Sequence, residues 1–290
     1  MLAVKPEWPE LNLPHGVKED TRIAPHILVR SAVFSTLEYA GAAQRPTIVV
    51  SEPMQLDAMS QYRVEQLEGP RLSQSDADLL FWLLARAYRD GAPKDSATVF
   101  FKRAEALAAL GRSRGGKTDA LLNDSLQRLC LAEFNFEQRD AATGEMQPLA
   151  QTRLLSKVDC PADKSAPYDY RVTIAGGVAT LLRGNAWLAL SGQVRKTLAS
   201  DPLAKGLHVH FASNKKVFDV WPDTLKGLMG RESMKQDSKW LRVLELALAK
   251  VGAATRWPQC ELAKSGPSAG KVVVKKGALR PKLTTDEASG

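Results

Sequence analysis

The string GRSRGGKT at residues 111–118 fits the phosphate-loop pattern G-x-x-x-x-G-K-[ST] letter for letter. In such a loop the glycines expose backbone N–H groups, the lysine (here Lys117) reaches the β/γ-phosphates, and the hydroxyl (here Thr118) ligates Mg²⁺. That chemistry needs a buried strand before the loop and a helix after it. The preceding KRAEALAAL, residues 102–110, has helical composition and period instead. Nor is a second apolar strand ending in Asp legible on the metal side. Nucleotide chemistry is therefore set aside: no enzymatic activity and no cofactor are expected. The same residues suit a glycine-rich turn that brings Arg112, Arg114 and Lys117 to DNA phosphates, at the positive end of the following helix.

The remaining reactive side chains offer little. Cys130, Cys160 and Cys260 are too few and too scattered for a disulfide framework or a structural zinc site. His208 and His210 form the only close histidine pair, and positions i and i+2 do not share a helix face, so no metal site is expected there.

Composition points away from several classes. At 290 residues the chain has room for two domains. With 44% hydrophobic and 25% charged residues it has ordinary globular composition, not that of a disordered chain. No apolar run approaches the ~18–20 residues of a membrane span, and the first residues lack the parts of a secretory signal. A soluble, cytoplasmic protein is expected. The net charge is +8, and residues 251–290 hold seven Lys/Arg against three acids. Such a patch attracts phosphate backbones, acidic proteins or anionic membrane, with plain solvation of a basic tail as the competing reading.

The elements that must position these residues follow from periodicity. Residues 1–25, with four prolines, read as an extended arm. A helix is expected over 26–39, strands over 47–51 and 61–67, and a helix over 77–89 capped from Ser73 and ended by 90–93. Then come a strand at 97–101, a short helix at 102–110, the turn, and a helix at 117–131 with Leu121, Leu122, Leu126 and Leu129 facing inward. Strands at 131–139 and 149–158 form a hairpin. This is the order of a winged helix-turn-helix, whose second helix enters the major groove. After a linker at 159–168 a similar order recurs. It comprises a strand at 169–174, a helical turn at 177–183, helices at 191–199 and 202–213, a strand at 217–220, helices at 222–229 and 237–251, and a ribbon from 254–262 and 271–276. The fold class expected is α+β, with two tandem winged-helix domains at 26–158 (dimerisation and DNA binding) and 169–277 (DNA binding), and a flexible tail at 278–290.

On the first reading helix, Lys117, Thr118, Asn123, Gln127 and Arg128 lie on the polar side. Lys and Arg serve phosphates or guanine, and Asn and Gln pair with adenine. On the second, Lys235, Gln236, Ser238, Lys239, Arg242 and Glu245 surround the apolar Trp240, Leu241, Leu244 and Leu248. Lys239 and Arg242 are the main candidates there, and Lys271, Lys275 and Lys276 would grip the backbone from the wing. Either polar set could equally be a solvated amphipathic face. Burial is expected for Trp221, Trp240 and Trp257.

Four strings in order give the chain a resemblance: HILVRSAVF (26–34), LSQSDAD (72–78), GKT through LQRL (116–129), and DPLAKGLH running into FAS (201–213). It resembles the TrfA-type plasmid replication initiators, themselves similar in design to the two-winged-helix Rep initiators of iteron plasmids. The resemblance implies binding to directly repeated sites (iterons) at a plasmid origin and opening of an adjacent AT-rich stretch. It also implies recruitment of host DnaA, the replicative helicase and the sliding clamp, and a monomer–dimer equilibrium through the first domain that restrains copy number. The family's clamp-contacting Q-L-x-L-F-like peptide is absent; the nearest string is QLDAM at 55–59. A two-domain transcriptional repressor would share every DNA-binding feature and is the alternative; an adaptor without a nucleic-acid role fits the basic pI less well.

Overall fold

In a computed structural model, residues 20–39, 41–88, 96–163, 165–199, 201–214 and 217–277 are described. They form a mixed helix-and-strand, α+β structure. The expected tail, most of the arm, and the helix stop at 90–93 lie outside the described residues.

β1 (Thr21–Pro25) leads directly into a four-residue helix, α1 (His26–Val29). The helix expected to run to residue 39 stops there, and the chain instead forms β2 (Phe34–Ser35). Distant partners cause the change. The Ala32 N–H donates to the Asp57 carbonyl, the Thr36 N–H donates to the Met229 carbonyl, and Phe34–Ser35 runs parallel to Leu72–Ser73. Backbone groups that a longer helix would pair internally are satisfied across the fold, which overrides the local period.

β3 (Thr47–Ile48) and β4 (Met54–Leu56) both pair with β5 (Tyr62–Pro70), and β6 (Leu72–Ser73) opens α2 (Gln74–Ala87). The Asp76 carboxylate accepts from the Ser73 N–H and hydroxyl at 2.9 and 3.0 Å, so the expected cap is in place. α2 buries its leucines together with Phe81 and Trp82, so it is covered nearly all round. β7 (Ala97–Phe101), α3 (Arg103–Ala109), α4 (Gly116–Leu131), β8 (Glu133–Arg139) and β9 (Met146–Arg153) follow in the expected order. β8 and β9 form the hairpin, and β5 extends it as the other neighbour of β8.

The strand expected over 149–158 breaks at the buried Leu154, where the chain leaves this sheet and enters another as β10 (Leu155–Asp159). β11 (Tyr170–Ile174), expected to open the second domain, lies between β10 and β7. After α5 (Gly176–Leu181), β12 (Trp187–Ser191) pairs antiparallel with β1 along its whole length. That strand is not legible in the sequence. α6 (Gly192–Thr197), α7 (Pro202–Ala212), α8 (Pro222–Leu228) and α9 (Asp237–Thr255) precede a ribbon of β13 (Gln259–Leu262) and β14 (Val272–Lys275), with Val220 bridged to Val272.

Two apolar cores result. The first runs from Ile23 to Leu190 and takes in Val209; the second runs from Leu198 to Val274 around Trp240, Leu244 and Phe211. The changeover thus falls near residue 190, not in the stretch 159–168. Two expectations of burial fail: Leu121 is 41% exposed and Trp221 is 55% exposed, whereas Trp240 is fully buried and Trp257 half-buried.

α2 carries two acids that face different partners. Asp76, fully buried, accepts from Arg128 of α4 at 2.8 Å and from the Ser125 hydroxyl, with the Arg45 guanidinium 3.9 Å away. Asp78 meets Arg195 and Lys205, each at 2.6 Å. Burial raises the Asp78 carboxyl, and these two cations more than offset it, so its pKa is lowered. Asp76→Ala strands Arg128 in a site built for a carboxylate, and should cost about 3–5 kcal/mol. Lys117→Ala, on the surface, should stay within about 0.5 kcal/mol. Urea unfolding of the two variants checks both values.

His208 and His210 are buried in α7, and their pKa values are pushed down to about 3 and about 4 by burial, with Arg195 and Arg30 adding to the effect. Both are neutral in the folded protein and charge readily when unfolded, near pH 6.5. Their stabilisation is therefore complete above pH 6.5 and is lost as pH falls toward 4, at about 1.4 kcal/mol per pH unit for each histidine. Unfolding free energies measured between pH 7 and 5 should show this slope, and a His208→Gln, His210→Gln double variant should flatten it.

Candidate nucleic-acid interface

The turn at residues 111–115 joins two helices. Gly111 adopts φ +68 and closes α3, and the Arg112 N–H donates back to the Leu107 carbonyl at 2.8 Å. Gly115 stands at the cap of α4, and the Thr118 hydroxyl donates to the Ser113 and Gly115 carbonyls, both at 2.8 Å. Thr118 therefore fastens the turn to the first turn of α4. A helix, not a strand, precedes the loop, so the strand–loop–helix setting of a phosphate loop is missing.

α4 presents Lys117, Asn123, Asp124 and Gln127 to the surface, with Leu122, Ser125, Leu126 and Leu129 turned inward. Arg114 is exposed and Arg112 half-buried in the turn. Asn123 accepts a hydrogen bond from the Tyr170 hydroxyl, which itself accepts from Arg103 at 3.3 Å. Arg103 also pairs with Asp119 at 3.1 Å and so neutralises one acid beside this face. Arg128, expected on the reading face, turns inward and pairs with Asp76 at 2.8 Å.

The second unit repeats the arrangement with different chemistry. α8, the turn at 229–236, α9 and the β13–β14 ribbon follow one another, and Lys235, Gln236, Ser238, Lys239, Arg242 and Glu245 are exposed. Lys239 and Arg242, three residues apart, share a face. The neighbouring Asp237 is paired with Lys226 at 3.2 Å, and Lys250 with Asp201 at 2.8 Å. Leu241, one of the apolar residues of this helix, is 36% exposed.

The three ribbon lysines part company. Lys275 is exposed. Lys271 places its ammonium 5.0 Å from the centre of the Trp221 ring, a cation–π contact at the turn end of the ribbon. Lys276 donates to the carbonyls of Phe211 at 3.2 Å, Ala212 at 3.4 Å and Asn214, closing the C-terminal end of α7. Burial lowers its pKa, with Arg30 adding to the effect.

Sequence reasoning missed two features of this surface. Trp221, beside Gly270 and Lys271 of the ribbon, and Phe218 are exposed; the signal was their place in VFDVW, where Val217 and Val220 pack on the core. It also missed the ion cluster behind the turn, signalled by acids at 76 and 78 heading an apolar helix. The three cysteines are free, and among the described residues no group of three or more His, Cys, Asp or Glu could hold a metal. Nor is any described helix long and apolar enough to cross a membrane.

No protein-family model matches the sequence, and no curated protein matches it significantly. Solved structures do match. The crystal structure of a selenomethionine derivative of domains 2 and 3 of RctB aligns with 87% of this chain and 98% of its own, at 12% identity and a TM-score of 0.56. A second structure of RctB domains 2–3 aligns with 71% of this chain and 76% of its own, at 12% identity and a TM-score of 0.43. The chain therefore has a fold similar to that of RctB domains 2 and 3.

Proposed function

We propose that the protein is a DNA-binding replication initiator made of two winged-helix modules, which reads repeated sites at a plasmid origin. The observation that carries this reading is the fold shared with domains 2 and 3 of RctB, a replication initiator, across almost the whole of that fragment. Two further features support it. Each half of the chain sets a helix, a turn and a longer helix ahead of a β-hairpin or ribbon, and each longer helix exposes cations or amides: Lys117 and Gln127 on α4, Lys239 and Arg242 on α9.

In this reading α4 and α9 enter successive major grooves of one duplex, about one helical turn apart. Arg112, Arg114, Lys117, Lys235 and Lys275 neutralise phosphates and give the affinity its salt dependence. Ser238, Lys239, Arg242, Asn123 and Gln127 lie where base edges come within reach. Contacts with host DnaA, the replicative helicase and the sliding clamp, and dimerisation through the first module, come from the sequence resemblance alone. Bound, strained duplex next to an AT-rich stretch would open there, where deformation costs least.

Affinity for the origin beside the gene, compared with a shuffled duplex across a salt series, tests the reading; equal affinity for both overturns it. Arg242→Ala should weaken the specific site by about 1–3 kcal/mol and relax one base position. Lys117→Ala should weaken all duplexes alike and lower the salt slope by about 1. A plasmid carrying only the origin should replicate when the gene is supplied in trans. A change in promoter activity without replication would favour a repressor.

A further inference from the structure

Each helix–turn–helix unit is held at its turn by residues outside that unit. In the second, the turn after α8 starts at Met229. Its carbonyl accepts from the Thr36 N–H at 3.0 Å and the Thr36 hydroxyl at 2.9 Å, the Gly230 carbonyl accepts from the Ser35 hydroxyl at 3.1 Å, and Arg231 donates to Thr36 at 2.7 and 2.8 Å. In the first, the last turn of α3 is held by Arg22, which donates to the Ala109 carbonyl at 2.8 Å, and Gly111 packs on the side chain of Lys196 in α6.

Between these contacts runs a buried polar seam. Asp78 on α2 binds Arg195 of α6 and Lys205 of α7. Arg195 also donates to the Lys205 carbonyl at 2.9 Å and to Gln74 at 3.2 Å, and Gln74 donates to the Phe34 carbonyl at 2.8 Å. Through Asp76, the same first turns of α2 grip α4.

Backbone packing closes the seam. A Cβ at Gly206 would come within 2.6 Å of Thr36 and 2.8 Å of Met229, and one at Gly230 within 2.9 Å of the Ser35 hydroxyl. The cavity there, lined by Phe34, Gln74, Gly206 and Met229, measures about 10 Å³, the lower limit for a single water.

From this we infer that the seam fixes α4 and α9 at one separation and angle, so that the protein selects DNA by the spacing between its two half-sites; the inference rests on the duplex-binding reading above. A buried ion cluster tolerates no sliding, because a displaced partner leaves a charge without compensation in a low-dielectric interior. Each base pair inserted between half-sites moves one of them by roughly 3.4 Å and turns it by roughly 35°. The units would have to separate at Asp78 and Thr36 to follow. Asp78, Arg195 and Arg231 are thus positioning residues for spacing and need not touch DNA.

The experiment uses the full chain and a duplex it enriches from a random-sequence pool, with zero to ten base pairs inserted at the centre. Wild-type affinity should fall about tenfold or more on inserting one or two pairs. Arg231→Met, which loosens one end of the seam at a half-buried site, should flatten that profile to within about threefold, and Asp78→Asn should do so at the other end. Should Asp78→Asn fail to fold, Arg231→Met alone decides. Equal wild-type binding at every spacing overturns the inference while leaving duplex binding intact. So does a variant that loses affinity by the same factor at all spacings. If the wild type enriches no duplex, the initiator reading falls and the spacing inference with it.

Discussion

A carboxylate in the interior of an apolar helix dictates much of what surrounds it. α2 is covered on almost every side, yet it carries Asp76 and Asp78 near its start. Each must be met by a cation or by hydrogen-bond donors, because an unpaired buried charge costs more than the packing around it returns. Asp76 is met by Arg128, Ser125 and the Ser73 cap, and this sets how α4 lies on α2. Asp78 is met by Arg195 and Lys205, and this sets how α6 and α7 lie on the opposite side. Two neighbouring acids thus tie the two halves of the chain to one helix.

Charge on this molecule consequently has two separate uses. Arg128, Arg195, Lys205 and Lys276 are consumed inside, capping helices and compensating carboxylates. Lys117, Arg114, Lys239, Arg242 and Lys275 stay outside. Cations left unpaired at the surface dominate the field that phosphate can feel, so a bare count of Lys and Arg overstates the cationic surface.

What could be read from the sequence follows the range of the interactions involved. α2, α3, α4 and α9 were legible because a helix is a local object and an amphipathic period repeats every turn. The β8–β9 hairpin was legible for the same reason. The stretch after Val29 was not, since its hydrogen bonds go to Asp57, Ser213 and Met229, and no local pattern names partners so far away. β12 and the placement of β11 beside β7 were hidden likewise. At the candidate interface, the turn and the exposed face of α4 were visible from spacing. The capture of Arg128 by Asp76, 52 residues distant, and of Lys276 by the end of α7 was not.

The ladder between β1 and β12 bears on how the chain is made. Its two strands are separated by more than 160 residues, with Thr21 opposite Ser191 and Pro25 opposite Trp187. Ile23 and Ala24 are fully buried beneath that ladder, so the first core closes only once β12 has left the ribosome. At about 5–20 residues per second, β1 waits roughly ten to thirty seconds for its partner. During that interval the nascent chain carries an open edge and an uncovered apolar strand, the kind of surface on which chaperones act.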